Sequence, residues 1–523
     1  MKLNIYSLAK YIPAVKKPTY KPSLKQKLKW TAIILILYYT LSHIRLYGVG
    51  DVGERFRMLE ILLGSKFGTL MTLGIGPIVT GSILLQLMVG SKIIEWDISK
   101  PEDRKKYDTV NKLLAVLFIV LEAVAYVLAG AVPPASSDAI TVSLLIVQLA
   151  LGGFLVFLMD DLVSKWGIGS GISLFIVAGV IDSIFVRAFT PFTQACTPAK
   201  GLATCIPSLD NPPAGLFWRF VFSLITGEAG ESIIYAMPLI ATVLVFLIVI
   251  YAQDISIDIP LTFAAVRGFG RRWSLKLFYT SNIPIILTAA LLANVQLWGK
   301  MGINPETNCS LLACFDEQGN PISGVLYYLN PPRGIPEVQV MMLCIGGLAA
   351  LGIIIGSLMF KGKTLQTVSV SILFGILLGL LIFNLLPGTF SVDRLVRNSI
   401  PLFTYTTFMI ICATLFSVFW VTTAGMDPES IAEQISSIGL RIPGYRSDKA
   451  AIKRVLERYI PPLAIIGGIS IGLLAAFADF SQALGTGTGI LLTVSIIYNF
   501  YEQIRMQHPA EAAPLLERIF GKK

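Results

Sequence analysis

Twelve apolar runs follow one another along this chain, at 30–47, 70–90, 113–131, 139–159, 168–188, 233–251, 277–298, 338–360, 365–386, 401–424, 460–478 and 484–501. A helix needs about 20 mainly apolar residues to cross a hydrocarbon layer about 30 Å thick, and each run approaches or meets that length. A soluble protein would have to cover such helices with amphipathic ones, and no outer set of that kind is visible in the sequence. Composition agrees. Charged residues make up only 14% of the 523 residues, against about a quarter in soluble domains, too few to clothe a water-facing surface. The sequence predicts an all-α polytopic membrane protein whose main solvent is lipid.

Basic residues fix its orientation, because Lys and Arg in short loops resist transfer across the membrane. An even number of spans puts both termini on one side. If that side is the cytoplasm, 31 of the 42 Lys and Arg residues fall inside, eight of them before residue 30 with no acidic neighbour. This N-terminal stretch is too long for the charged start of a cleavable signal peptide. It is expected to lie along anionic headgroups, so the net charge of +10 is largely topological and does not imply nucleic-acid binding.

The same topology sorts the six cysteines. Cys344 and Cys412 lie in spans, whereas Cys196, Cys205, Cys309 and Cys314 lie in two outer loops. Outer thiols oxidise readily, and the short separations allow bridges Cys196–Cys205 and Cys309–Cys314, with free thiols as the alternative. The Pro-rich and Gly-rich outer segments at 190–230 and 300–336 are expected to form ordered loops or short helices. On the inner side, 425–459 is a mixed-charge prong with a helical stretch at 428–438.

Between the first two spans lies a segment, 54–63, too short to cross, with Phe56, Leu59, Ile61, Leu62 and Leu63 as its apolar residues and Gly53 and Gly64 at its ends. Gly74, Ile75, Gly76 and Pro77 then interrupt the second run. Such a break is tolerated at membrane depth only where neighbouring protein satisfies the backbone, which points to a cavity or pathway, or to a Gly-mediated packing kink.

Enzymatic motifs fail on inspection. Gly48, Val49, Gly50 and Asp51 spell the GxGD string of intramembrane aspartyl proteases, but in an outer loop without a partner Asp. Gly362, Lys363 and Thr364 resemble the end of a phosphate-binding loop, yet Ser357 stands where its first Gly belongs. Ser170 has Ile168 where a GxSxG elbow needs Gly. His43 and His508, the only histidines, lie on opposite sides and cannot share a metal. The chain is expected to be no enzyme and to carry no cofactor. A secondary transporter for a small solute is the alternative. It would be expected to place several charged groups at midplane depth, where only Glu122 stands clearly.

Six strings in order, LGIGPIVTG (73–81), KWGIGSGISL (165–174), SNIP (281–284), ANVQLW (293–298), YIPP (459–462) and GTGILLTVSI (487–496), resemble motifs of SecY, the alpha subunit of the Sec protein translocon in its archaeal and eukaryotic form. The resemblance covers nearly the whole chain. It implies a ten-helix channel in two pseudo-symmetric halves, 30–188 and 233–523, joined by the outer loop 189–232 and preceded by the basic segment 1–29. This chain adds two spans within 338–386, giving twelve. Cytoplasmic prongs are expected at 252–276 and 425–459.

The resemblance also assigns roles. An aliphatic pore ring falls on Ile75, Val79, Ile172, Ile176, Ile286 and Leu492, a constriction that dewets when empty and adapts to a passing peptide. The short segment becomes a plug over 54–65, with Glu54, Phe56, Leu59, Ile61, Leu62 and Leu63. Thr80, Glu122 and Asn294 match polar positions of a lateral gate through which signal sequences and nascent spans reach membrane lipids. Arg267, Arg271, Arg272, Lys276, Arg441 and Arg446 match ribosome-docking positions, although topology alone explains about half of such charge. The implied partners are the SecE/gamma and beta subunits, the ribosome and nascent polypeptides, and the implied location is the cell membrane.

Overall fold

In a computed structural model of the chain, the described residues are 15–507 apart from 21, 51–65, 92, 97–99, 129, 137, 194–205, 209–211, 228, 264–269, 281–282, 300–306, 311, 317–320, 332–335, 360–363, 386–398, 438–439 and 442–448. The helices α1 (Leu24–Leu41), α2 (Gly76–Gly90), α3 (Pro101–Leu128), α4 (Ala139–Trp166) and α5 (Gly171–Phe189) build the first half. A short helix, α6 (Leu216–Thr226), precedes the second half. That half consists of α7 (Ala229–Asp254), β1 (Ser256–Phe263), β2 (Gly270–Lys276), α8 (Ile283–Gly299), β3 (Ala313–Phe315), β4 (Pro321–Gly324), α9 (Val325–Leu329), α10 (Pro336–Met359), α11 (Thr364–Leu385), α12 (Ser399–Thr423), α13 (Pro428–Ser437), β5 (Leu440–Arg441), α14 (Lys449–Phe480) and α15 (Gly487–Gln507). Among the described residues, twelve helices of fifteen residues or more match the twelve apolar runs one to one, and strands enter only in the loops. By length and apolarity six helices qualify outright as membrane spans, and α2 and α8 are shorter apolar helices.

Local signals set the helix ends. Ser23 and Gln26 form a reciprocal capping box at α1, satisfying amides that a helix start leaves open. The second apolar run becomes helical only at Gly76, six residues later than its hydropathy begins. Residues 69–75 instead form turns in which Thr72 Oγ1 donates to Thr69 O at 2.5 Å and Gly74 takes φ +51°; Pro77 then suits the first helical turn.

Distant carboxylates fix two other starts. Asp160 of α4 accepts from the Ile172 amide at 3.0 Å, which holds the corner of the 165–174 string. Asp479 of α14 accepts from the Thr488 amide at 3.0 Å, from Tyr405 Oη at 2.7 Å and from the Thr488 hydroxyl. It thereby ties α12, α14 and the start of α15 together.

Helices meet closely where glycine permits. A Cβ on Gly468 would lie 2.6 Å from Thr414 Cα, and one on Gly472 2.7 Å from Ile410 Cα, so α14 and α12 approach backbone to backbone. The added pair packs by the same rule. Gly375 of α11 faces Cys344 O and Ile345 Cα of α10, each 2.8 Å from a Cβ placed there. On α10, Gly346 faces Leu244 of α7 and Phe477 of α14. Small residues let membrane helices gain dispersion contacts where no hydrophobic drive exists between them.

In the two expected prongs, β1 and β2 form an antiparallel hairpin, and β5 adds to β1 through Thr262↔Arg441 and Phe263↔Leu440. The two prongs foreseen as separate therefore share a sheet of order β2-β1-β5. Beneath it, Ile259, Leu275, Ala432, Ile435, Ile452 and Leu456 form a satellite core. The N-terminal segment is tethered as well: Asp161 accepts from the Val15 amide at 2.8 Å, and Trp166 Nε1 donates to Lys16 O at 2.9 Å.

Candidate pore, lateral seam and cytoplasmic face

The two halves meet along two lines. At one, α5 packs on α15, with Gly169 against the Phe500 ring; at the other, α2 meets α8 and α12, with Gly90 against the Phe419 ring. The largest apolar cluster among the described residues spans both halves. Ile75 and Val79 of the α2 region, Ile176 of α5, Ile286 of α8 and Leu492 of α15 are all buried members of it, and Ile172 of α5 is half-buried against it. Ile75, Val79, Ile176 and Leu492 are at most 3% exposed. Branched aliphatic side chains from four helical regions of both halves thus belong to, or pack against, one apolar cluster.

Polar groups mark the α2–α8 line. Asn294 Nδ2 of α8 donates to Thr80 Oγ1 of α2 at 3.0 Å, and Thr80 Oγ1 lies 2.9 Å from both Glu122 Oε1 of α3 and Gly76 O. Asn294 and Glu122 are 7% and 8% exposed. The chain Asn294–Thr80–Glu122 joins second half to first across the seam. Its members are costly to leave unpaired in hydrocarbon, so closure and hydrogen bonding are coupled. Closer to the C-terminal end of α8, Gln296 Nε2 donates to Asn330 Oδ1 at 2.7 Å.

The plug residues Glu54, Phe56, Leu59, Ile61, Leu62 and Leu63 lie outside the described residues, as do Arg267, Arg446, Cys196 and Cys205. Arg271 and Arg272 occupy the β2 positions opposite Leu261 and Pro260, and Arg441 the β5 position opposite Thr262, so the sheet gathers them at one end. Lys276 differs from this group. Its Nζ pairs with Glu502 and lies 4.4 Å from the centre of the Tyr498 ring, while Tyr498 Oη donates to Asp254 Oδ1 at 2.9 Å. It ties the foot of the hairpin to α15. In the loop that follows α8, Cys309 and Cys314 form a disulfide within the β3–β4 hairpin region. Of the GxGD string, Gly48, Val49 and Gly50 sit in a bridged loop, with the Gly50 amide donating to Pro133 O at 2.8 Å, while Asp51 lies outside the described residues. Among the described residues no group of three His, Cys, Asp or Glu side chains is placed to hold a metal.

Sequence reasoning did not single out Asp160, Asp479 or Tyr405 as fold-setting groups. A lone acidic residue near a span end gives no sign of the helix start it will cap from another element.

Two helical halves closed around an aliphatic cluster, with a hydrogen-bonded seam on one side, define a protein-conducting membrane channel. Comparison with known proteins agrees. Residues 69–501 match the family model of SecY. The protein translocase subunit SecY of Pyrococcus furiosus is 37% identical over 530 residues, spanning 99% of this chain and 98% of the relative. That of Methanocaldococcus jannaschii is 36% identical, spanning 98% of each. A solved structure described as a protein conducting channel superposes with a TM-score of 0.72 at 36% identity, over 98% of this chain and all of the other. Sec61 in the canine ribosome–channel complex from the endoplasmic reticulum gives a TM-score of 0.69 at 36% identity, over 98% of this chain and 100% of that one. The chain belongs to the SecY family.

Proposed function

We propose that this chain passes unfolded secretory polypeptides along its axis and releases transmembrane segments sideways into lipid between α2–α3 and α8–α12. The observation that carries this reading is that aliphatic residues from four helical regions of both halves are buried in, or packed against, one apolar cluster; in this reading they form a constriction on the axis. Such a constriction excludes ions when empty, because a narrow apolar passage dewets, and yields to a peptide because its side chains are flexible. Ile75, Val79, Ile172, Ile176, Ile286 and Leu492 form the ring, residues 54–65 the plug, and Thr80, Glu122 and Asn294 the seam that opens to a signal sequence.

Both termini face the cytoplasm in this reading, and the β2-β1-β5 sheet with Arg271, Arg272 and Arg441, extended by Arg267 and Arg446, receives the ribosome. The likeness to Sec61 in a ribosome complex supports this docking. Phosphate-rich RNA suits such a cluster of guanidinium groups. The SecE/gamma and beta subunits are its companions in the cell membrane. The added pair α10–α11 belongs to the second half and moves with it, since its contacts run to α7 and α14.

A stalled secretory chain bearing one reactive probe tests the assignment. With Ile75→Cys or Ile286→Cys, crosslinks are expected as the probe passes the ring, and a cysteine on the lipid face of α5 serves as the control. Crosslinks at the control position with none at either ring position would overturn it.

A further inference from the structure

Helix α6 is amphipathic the wrong way round for an element surrounded by water. Phe217, Trp218, Leu224 and Ile225 are exposed by 38%, 42%, 58% and 78%, and with half-buried Val221 they follow the spacing i, i+1, i+4, i+7, i+8 of a single helix face. The polar groups turn away from that face. Arg219 Nε donates to Pro213 O at 2.9 Å and its guanidinium lies 5.6 Å from the centre of the Tyr235 ring, while buried Ser223 donates to Phe220 O at 2.9 Å.

This face continues a surface already committed to lipid. On α5, Phe185 and Phe189 are 65% and 44% exposed. A ladder of rings runs from Phe185 to Phe189, from there to Phe217 and on to Trp218, with centroids 5.1, 5.6 and 5.4 Å apart. Trp218 Nε1 donates to Phe189 O at 3.0 Å, fixing the indole at the end of α5. Aromatic side chains with a polar tip favour the membrane–water boundary, and a helix with one apolar face lies in that boundary with the face buried toward the acyl chains.

We propose that α6 is an interfacial helix seated in the outer leaflet, its Phe217–Trp218–Leu224–Ile225 face in contact with lipid at the level where headgroups meet acyl chains. The consequence is mechanical. α6 packs on both α5 and α7, the last helix of the first half and the first long helix of the second. The connection between the halves is thus held at a fixed depth in the bilayer.

The test uses the full chain in phosphatidylcholine–phosphatidylglycerol vesicles and takes the emission lost in Trp218→Phe as the Trp218 signal. A nitroxide carried on the acyl chain close to the headgroup is expected to remove most of that signal, and iodide in the outer water to remove little of it. Strong quenching by iodide would place α6 in water and overturn the proposal. Quenching by neither agent would overturn it too, because a second copy of the chain or another protein would then cover the face. A benzophenone amino acid at the position of Ile225 gives an independent readout should Trp218→Phe not fold. Lipid adducts support the proposal, and adducts to protein alone refute it.

Discussion

Replacing Gly152 by alanine sets two well-measured effects against each other. Gly152 lies in α4 against the turn segment 69–75, and a Cβ there would stand 1.8 Å from Leu70 O and 2.9 Å from Leu70 C. Carbon atoms at rest keep about 3.5 Å from their neighbours, so the two backbones must part by well over an ångström. No rotamer change relieves this, because the obstacle is main chain. The segment is braced by the Thr69 and Thr72 hydroxyls, which donate to Lys66 O at 2.6 Å and Thr69 O at 2.5 Å.

Overpacking of this kind costs about 1–3 kcal/mol, whereas alanine gains about 1 kcal/mol over glycine in a helix interior. The main-chain obstacle puts Gly152→Ala at the upper end of that cost, so it is expected to destabilise by about 2 kcal/mol net, and to raise resting ion leakage because the displaced turn carries Ile75. Gly347→Ala is the matched control: its Cβ meets only Leu244 Cδ1, at 3.6 Å, an ordinary contact, so helix propensity acts alone and stability holds or rises. Thermal unfolding in lipid nanodiscs reads both variants, and conductance in planar bilayers reads the leak. If Gly152→Ala melted at or above the parent temperature, alongside Gly347→Ala, the close approach of α4 to this turn would not exist.

The other expectations concern gating and docking. Asn294→Leu removes a seam hydrogen bond worth about 0.6 kcal/mol in a membrane. It leaves Thr80 without that donor, so the hydrophobicity that a signal sequence needs for insertion should shift; an unchanged threshold in an insertion assay would refute the role. Deleting residues 54–65 should leave translocation working and raise ion conductance in planar bilayers, with unchanged conductance as the contrary result. For ribosome binding, Arg271→Gln should weaken affinity and lower the slope of log affinity against log salt by about one. Lys276→Gln should leave that slope unaltered, since its ammonium is already paired with Glu502; equal losses would show that both residues meet phosphate.

Hydropathy alone found the twelve helices, yet it started the second one too early. Leu70, Met71 and Leu73 are as apolar as any span, and only the hydroxyl-braced turns of Thr69 and Thr72, with Gly74 at positive φ, hold them out of the helix. The prongs at 252–276 and 425–459 were visible as charged loops. Their union into one sheet was not, because β5 is two residues long and pairs with a strand about 180 residues earlier. Lys276 looked like its neighbouring arginines until α15 supplied Glu502 and Tyr498 beside it. The outward apolar face of α6 escaped notice for a related reason: in a loop rich in Pro and Gly, an eleven-residue helix gives too short a period to show which side will pack.

Membrane class and the number of long apolar helices were thus settled by the sequence itself, because each depends on a sum over neighbouring residues, the apolar transfer energy along a run. Which side chains enter the shared core, which polar groups join the halves, and that Lys276 is paired depended on helices hundreds of residues apart coming together. Those outcomes rest on contact between close-packed surfaces, where one residue of register decides whether an Ile faces the axis or an Asn meets its Thr. Only the assembled bundle fixes that.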